Sequence, residues 1–133
     1  MPTIRGTFDV TITPETLSDT AAQSGLGRLS LDKRYHGALD ASARGEMLSA
    51  RASVAGSAGY VALERVEGTL DGRHGSFYLQ HSGTMTRGAP ALSVTVVPDT
   101  GTEQLQGLSG SLAIRIEEGK HYYAFTYEIA DVP

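Results

Sequence analysis

The sequence predicts an all-β protein, a closed eight-stranded antiparallel up-and-down barrel formed as one domain over residues 1–133. Three observations carry that expectation. Apolar residues recur at every second position in short stretches, the period of a strand with one buried face. The 16 glycines in 133 residues punctuate those stretches, well above the usual ~7%. Two tight-turn signals, Asp71-Gly72 and Glu118-Gly119-Lys120, sit between alternating runs, where hairpin turns need positive φ.

Taken in order, Thr7 to Ile12 puts Phe8, Val10 and Ile12 on one face. Thr13-Pro14-Glu15 resembles a helix start, with Pro at the first helical position, and opens a polar segment to Gly27 with little helix. Leu29 to Ser42 alternates with Leu29, Leu31, Lys33, Tyr35 and Leu39 in register; Arg44-Gly45 reads as a turn and Glu46 to Arg51 as a returning strand. After a small-residue loop, Ser53 to Gly59, come Tyr60 to Leu70, the Asp71-Gly72 hairpin, and Ser76 to Met85. Leu92 to Val97 ends at Pro98, which cannot donate to a ladder. A Gly/Thr/Ser-rich loop, Asp99 to Ser109, precedes the last pair, Ser111 to Glu117 and His121 to Ile129. Eight meandering strands with one apolar face each form either a closed barrel or a two-sheet sandwich, and the barrel leaves no exposed edges.

Composition narrows the functions. There is no Cys, so no disulfide, thiolate metal site or catalytic thiol. A net charge of −4 with dispersed basic residues lacks the footprint of a nucleic-acid binder. Neither a signal-peptide core nor a run of ~20 apolar residues is present, which reads as a soluble, cytoplasmic protein without membrane insertion. No His-x-His or His-x-x-x-His pair occurs, so neither a metal nor another cofactor is expected. The phrase Gly107-Leu108-Ser109-Gly110 is one residue short of a nucleophile elbow.

The informative residues are polar ones on the inward parity. The apolar register sends Phe8, Val10, Tyr35, Tyr60, Phe77, Leu92, Ile116, Tyr123, Phe125 and Tyr127 inside, and with them Lys33, Glu64, His81 and His121. Buried charges cost several kcal/mol unless paired or wetted. Counting from the Asp71-Gly72 turn, Glu64 stands opposite a residue near Phe77 to Leu79 and His81 lies about one pleat away. Glu64 and His81 are therefore the candidate proton-transfer pair, and Lys33, Tyr35, Tyr60, Phe77, Tyr123 and Tyr127 the candidate ligand contacts. The competing reading is a satisfied internal pair among core-filling tyrosines. His36, of opposite parity, and His74, in the turn, read as surface residues. Outward Val61, Leu63 and Val97 point to a homo-oligomer, a dimer or larger.

A set of phrases spread along the chain carries a family resemblance. They include Gly27-Arg28-Leu29, Gly45-Glu46-Met47-Leu48-Ser49, Gly56-Ser57-Ala58-Gly59-Tyr60-Val61-Ala62, Gln80-His81-Ser82-Gly83-Thr84-Met85 and Gly119-Lys120-His121-x-Tyr123. From about Gly6 to Ile129 the chain resembles the bacterial family catalogued as domain of unknown function 3224, whose fold is similar to the calycin-like barrel of allene oxide cyclase. The resemblance implies a closed eight-strand barrel, often oligomeric, that binds or cyclises an apolar small molecule; it transfers no catalytic residue. Three functions stay open: an isomerase or cyclase using Glu64 and His81, a binding protein for an apolar metabolite, and a structural or regulatory oligomer with a filled barrel.

Overall fold

In the computed structural model, which describes residues 1–131, eight antiparallel strands close on themselves in sequence order. They are β1 (Thr3–Pro14), β2 (Gly27–Gly37), β3 (Leu39–Arg51), β4 (Ala58–Leu70), β5 (Arg73–Thr86), β6 (Ala89–Val96), β7 (Leu108–Glu117) and β8 (Lys120–Ile129). The barrel closes because β1 is shared: Thr3 to Phe8 pair with β8, and Gly6 to Pro14 pair with β2. The thinnest seam is β6–β7, joined by the single pair Thr95↔Ser111.

Two expectations about the path of the chain are corrected. The strand Leu29 to Ser42 with a turn at Arg44-Gly45 is instead two strands that reverse at Ala38, with Gly37 at φ +113 and Tyr35 paired to Ala41. Gly45 lies in mid-strand, where a Cβ would sit 2.0 Å from the Leu63 carbonyl oxygen. Close approach of β4, not chain reversal, is what calls for glycine there. The helical turn is also displaced. Pro14 ends β1 opposite Leu29, where a missing N–H is tolerated. The helix α1 (Asp19–Gln23) starts later, with the Ser18 hydroxyl accepting from the Ala21 N–H at 3.1 Å.

The Asp71-Gly72 hairpin forms as its residues dictate, with φ +48 and +80 and Leu70 paired to Arg73. Its register fixes the whole of β4 against β5.

The interior is unequal along its axis. At one end Leu39, Leu70, Phe77 and Phe125 are at most 1% exposed, and the Phe77 and Phe125 rings stack at 6.0 Å. Leu105, from a single 3₁₀ turn (Glu103–Leu105) in the β6–β7 connection, is buried among them. At the other end, residues of the inward parity stay open: Ile12, Met85, Leu92 and Ile116 are 51%, 44%, 43% and 64% exposed. The placement of Leu92 and Ile116 inside the core is thus corrected. They stand where the strands outrun the packed half of the barrel.

Candidate functional site

Lys33 and Tyr35 come from β2, Glu64 from β4 and His81 from β5, all on the inward parity. The Asp71-Gly72 register sets Glu64 opposite Leu79 and His81 opposite Ala62, one pleat apart on adjacent strands. Lys33 reaches Glu64 from two strands away because β3, which lies between them, presents only Ala43 and Gly45 there. The four side chains meet in a buried cluster, with Lys33 6%, Tyr35 0%, Glu64 1% and His81 3% exposed.

The Tyr35 hydroxyl donates to Glu64 Oε1 at 2.6 Å. Lys33 Nζ stands 3.1 Å from Glu64 Oε2 and His81 Nε2 3.3 Å from Oε1. Those last two contacts are at ion-pair distance but lack hydrogen-bond alignment, so Glu64 Oε2 and His81 Nε2 have no aligned hydrogen-bond partner. Buried polar atoms left in that condition are rare. Lys33 is further flanked by the Phe8 and Tyr35 rings, with Nζ 5.1 and 5.8 Å from their centroids.

Burial pushes the Glu64 carboxyl up, but His81, Lys33 and the Tyr35 hydroxyl together outweigh it and hold it below the usual carboxylate range. The same carboxylate acts in reverse on the phenols. Burial and then the Glu64 charge hold Tyr35 well above its ordinary value, and the same two causes raise Tyr60.

Above this cluster the open end forms a cup of about 350 Å³, whose lining includes Leu29, Met47, Arg51, Tyr60, Met85 and Leu92. That volume lies at the lower end of the ~300–1,000 Å³ typical of small-molecule sites. Tyr60 lies against Gly83, where a Cβ would be 2.4 Å from the ring. Of the ligand contacts expected from sequence, Tyr60 lines the cup, and Lys33 and Tyr35 hold Glu64. Phe77, Tyr123 and Tyr127 lie in the closed half. The Tyr123 hydroxyl donates to the His36 carbonyl at 2.9 Å and accepts from the Leu39 N–H at 3.2 Å. The Tyr127 hydroxyl donates to Asp71, and burial followed by that carboxylate pushes the phenol up to about 12. His121, half-buried, packs its ring 5.1 Å from Phe8. His36 and His74 sit on the surface beside Asp9 and Glu103.

Gly45, Met47, Arg51 and Gly83 escaped the sequence reading. The first three follow once β3 is read as one strand, since the inward parity of Leu39 then runs through to Arg51. A larger hollow of about 540 Å³, bordered by Arg5, Ala113, Arg115 and Tyr122, lies on the outer wall. None of the four clustered side chains lines either hollow, but the cup continues their inward face one pleat on, Met47 following Gly45 on β3 and Gly83 following His81 on β5, so the barrel mouth is the candidate site. Among the described residues no group of three His, Asp or Glu side chains is placed to hold a metal ion, and no helix is long and apolar enough to cross a membrane.

The family model described as "Protein of unknown function (DUF3224)" matches residues 4–127. Among solved structures, a protein of unknown function from the same family in Shewanella oneidensis MR-1 is similar over 98% of this chain and 99% of that chain, at 49% identity and a TM-score of 0.91. No curated protein matches.

Proposed function

The chain belongs to the DUF3224 family, and from that footing we propose that it binds an apolar small molecule at the mouth of its barrel. One observation carries the reading: an open apolar cup begins one pleat beyond a buried carboxylate–imidazole pair whose hydrogen bonding is incomplete. A protein under selection for stability alone gains more from Leu or Phe at such positions. Sites, by contrast, keep unsatisfied polar groups for the molecule that visits them. Glu64, fixed by Tyr35 and Lys33, stands 3.3 Å from the His81 imidazole, and that pair has the chemistry for moving a proton, the step an isomerase or cyclase needs.

The test is thermal melting against a panel of apolar metabolites, with native mass spectrometry of the purified protein for anything carried along. A ligand at a hundredfold excess over its Kd adds about 2.7 kcal/mol, or roughly 10 °C for a chain of this length. Leu92→Glu, which places a charge on the cup wall, is expected to abolish the shift without unfolding the protein. No shift with any compound and no co-purified species would reject the reading.

A second reading, a non-catalytic oligomer with a filled barrel, has its own support. Leu48 faces Val61 across the β3–β4 pair, Leu63 follows on the same outer face, and the three are 41%, 55% and 53% exposed. Val97, only partly exposed, stands apart from them beyond β6. Sedimentation at micromolar concentration is expected to give a dimer or larger species, and Leu63→Glu a monomer. A monomeric parent protein would remove this second reading.

A further inference from the structure

On the β3–β6 side of the barrel mouth, which the cup occupies, the charges are one-sided, whereas the β1–β2 connection and the β7–β8 turn at the same end carry Glu15, Asp19, Glu117 and Glu118. Residues 47–60 and 83–92, the cup-lining ends of β3 and β4 and of β5 and β6 with the turns that join them, contain Arg51 and Arg87 and no Asp or Glu. In a chain of net charge −4 this is a locally cationic edge. The two hairpins are fastened together: the Gly88 N–H donates to the Gly56 carbonyl at 2.9 Å, and the Arg87 N–H to the Ser57 hydroxyl at 2.9 Å. Arg51 lines the cup itself. Like Arg5 and Arg73, neither arginine belongs to an ion pair among the described residues, whereas Arg28, Arg34, Arg44, Arg65 and Arg115 each do. Below the rim the lining turns apolar, with Leu29, Met47, Met85 and Leu92.

We propose that the ligand is an anionic amphiphile, its apolar body in the cup and its carboxylate or phosphate head at the rim, where Arg51 and then Arg87 select for it. This rests on the cup being the binding site. A guanidinium gives a planar, bidentate match to such a head group. The two flexible methionines suit a body without fixed shape.

Calorimetric titration with dodecanoate and dodecanol, which share one chain and differ in head charge, separates the claims. Dodecanoate is expected to bind roughly tenfold tighter, the size of one charge-assisted hydrogen bond at a half-wet rim. Its advantage should shrink with salt. Arg51→Gln should erase that advantage and leave dodecanol unchanged, Arg87→Gln should reduce it, and Arg73→Gln, at the β4–β5 turn on the closed end, should leave it intact. Equal affinities for the two compounds would overturn the charge preference while sparing the apolar cup. Binding of neither would overturn both. Co-sedimentation with phosphatidylglycerol but not phosphatidylcholine vesicles, lost in Arg51→Gln, would identify the head group as that of a membrane lipid. Absence of vesicle binding would assign it to a free amphiphile.

Discussion

Glu64→Gln is expected to destabilise the protein by about 3–5 kcal/mol, because it leaves the Lys33 ammonium buried without a counter-charge. Lys33→Met should cost a similar amount by stranding the carboxylate. The Lys33→Met/Glu64→Gln double variant should be more stable than either single, since it removes both charges from a site that is almost dry. His81→Asn should cost less than Glu64→Gln, because Lys33 and Tyr35 still hold the carboxylate. Denaturant melts of the four variants give the cycle; simple additivity of the Lys33 and Glu64 losses would show that the pair is not coupled. The pH dependence has a fixed sign. The Glu64 carboxyl is held below its ordinary range, so the stability it contributes is complete above the unfolded value of about 4.3 and is lost as pH falls through the lower folded value. Glu46, lowered by its hydrogen bond to Arg28, acts in the same direction, but it is fully exposed and its part is screened by salt. An acid limb that survives high salt and flattens in Glu64→Gln is the expected signature.

The Glu64–His81 contact was legible from sequence because it needs only two facts, the parity of one face and the turn residues between adjacent strands. Asp71-Gly72 supplies the second almost without ambiguity. The Lys33–Glu64 contact was not legible, since those strands are two apart and meet only where β3 carries no bulk. Reading Arg44-Gly45 as a turn cut the intervening strand down to Glu46–Arg51, so that Ala43 and Gly45 did not stand between Lys33 and Glu64. Glycine serves both where the chain reverses and where two backbones crowd, and local pattern does not separate the two uses. Burial of Leu105 was hidden for a related reason: what a single 3₁₀ turn covers is decided by the barrel end it caps. The cup was half visible. Alternation marked Leu92 and Ile116 as inward, but not that the strands extend past the packing that would cover them.

Gly45→Ala follows from the same geometry and should cost about 3 kcal/mol. The added Cβ would stand 2.0 Å from the Leu63 carbonyl oxygen, 2.6 Å from Glu64 Cα and 2.8 Å from Glu64 Cβ. The first two are backbone atoms, and no rotamer change moves them aside. Strands β3 and β4 have to part locally, in the middle of a thirteen-residue pairing. That places the cost at the upper end of overpacking penalties. Parting the strands also moves Glu64 away from Tyr35 and Lys33, so the variant should lose any ligand-induced melting shift along with its stability. Gly59→Ala on β4 is the control: its nearest contact would be an ordinary 3.8 Å, to the Gly83 carbonyl. It should therefore be neutral or slightly stabilising, by up to about 1 kcal/mol. Hydrogen exchange at the Gly45 and Leu63 amides localises the damage. If the two alanine variants melt within about 0.5 kcal/mol of each other, the close approach of β4 to Gly45 is not what holds Glu64 in place.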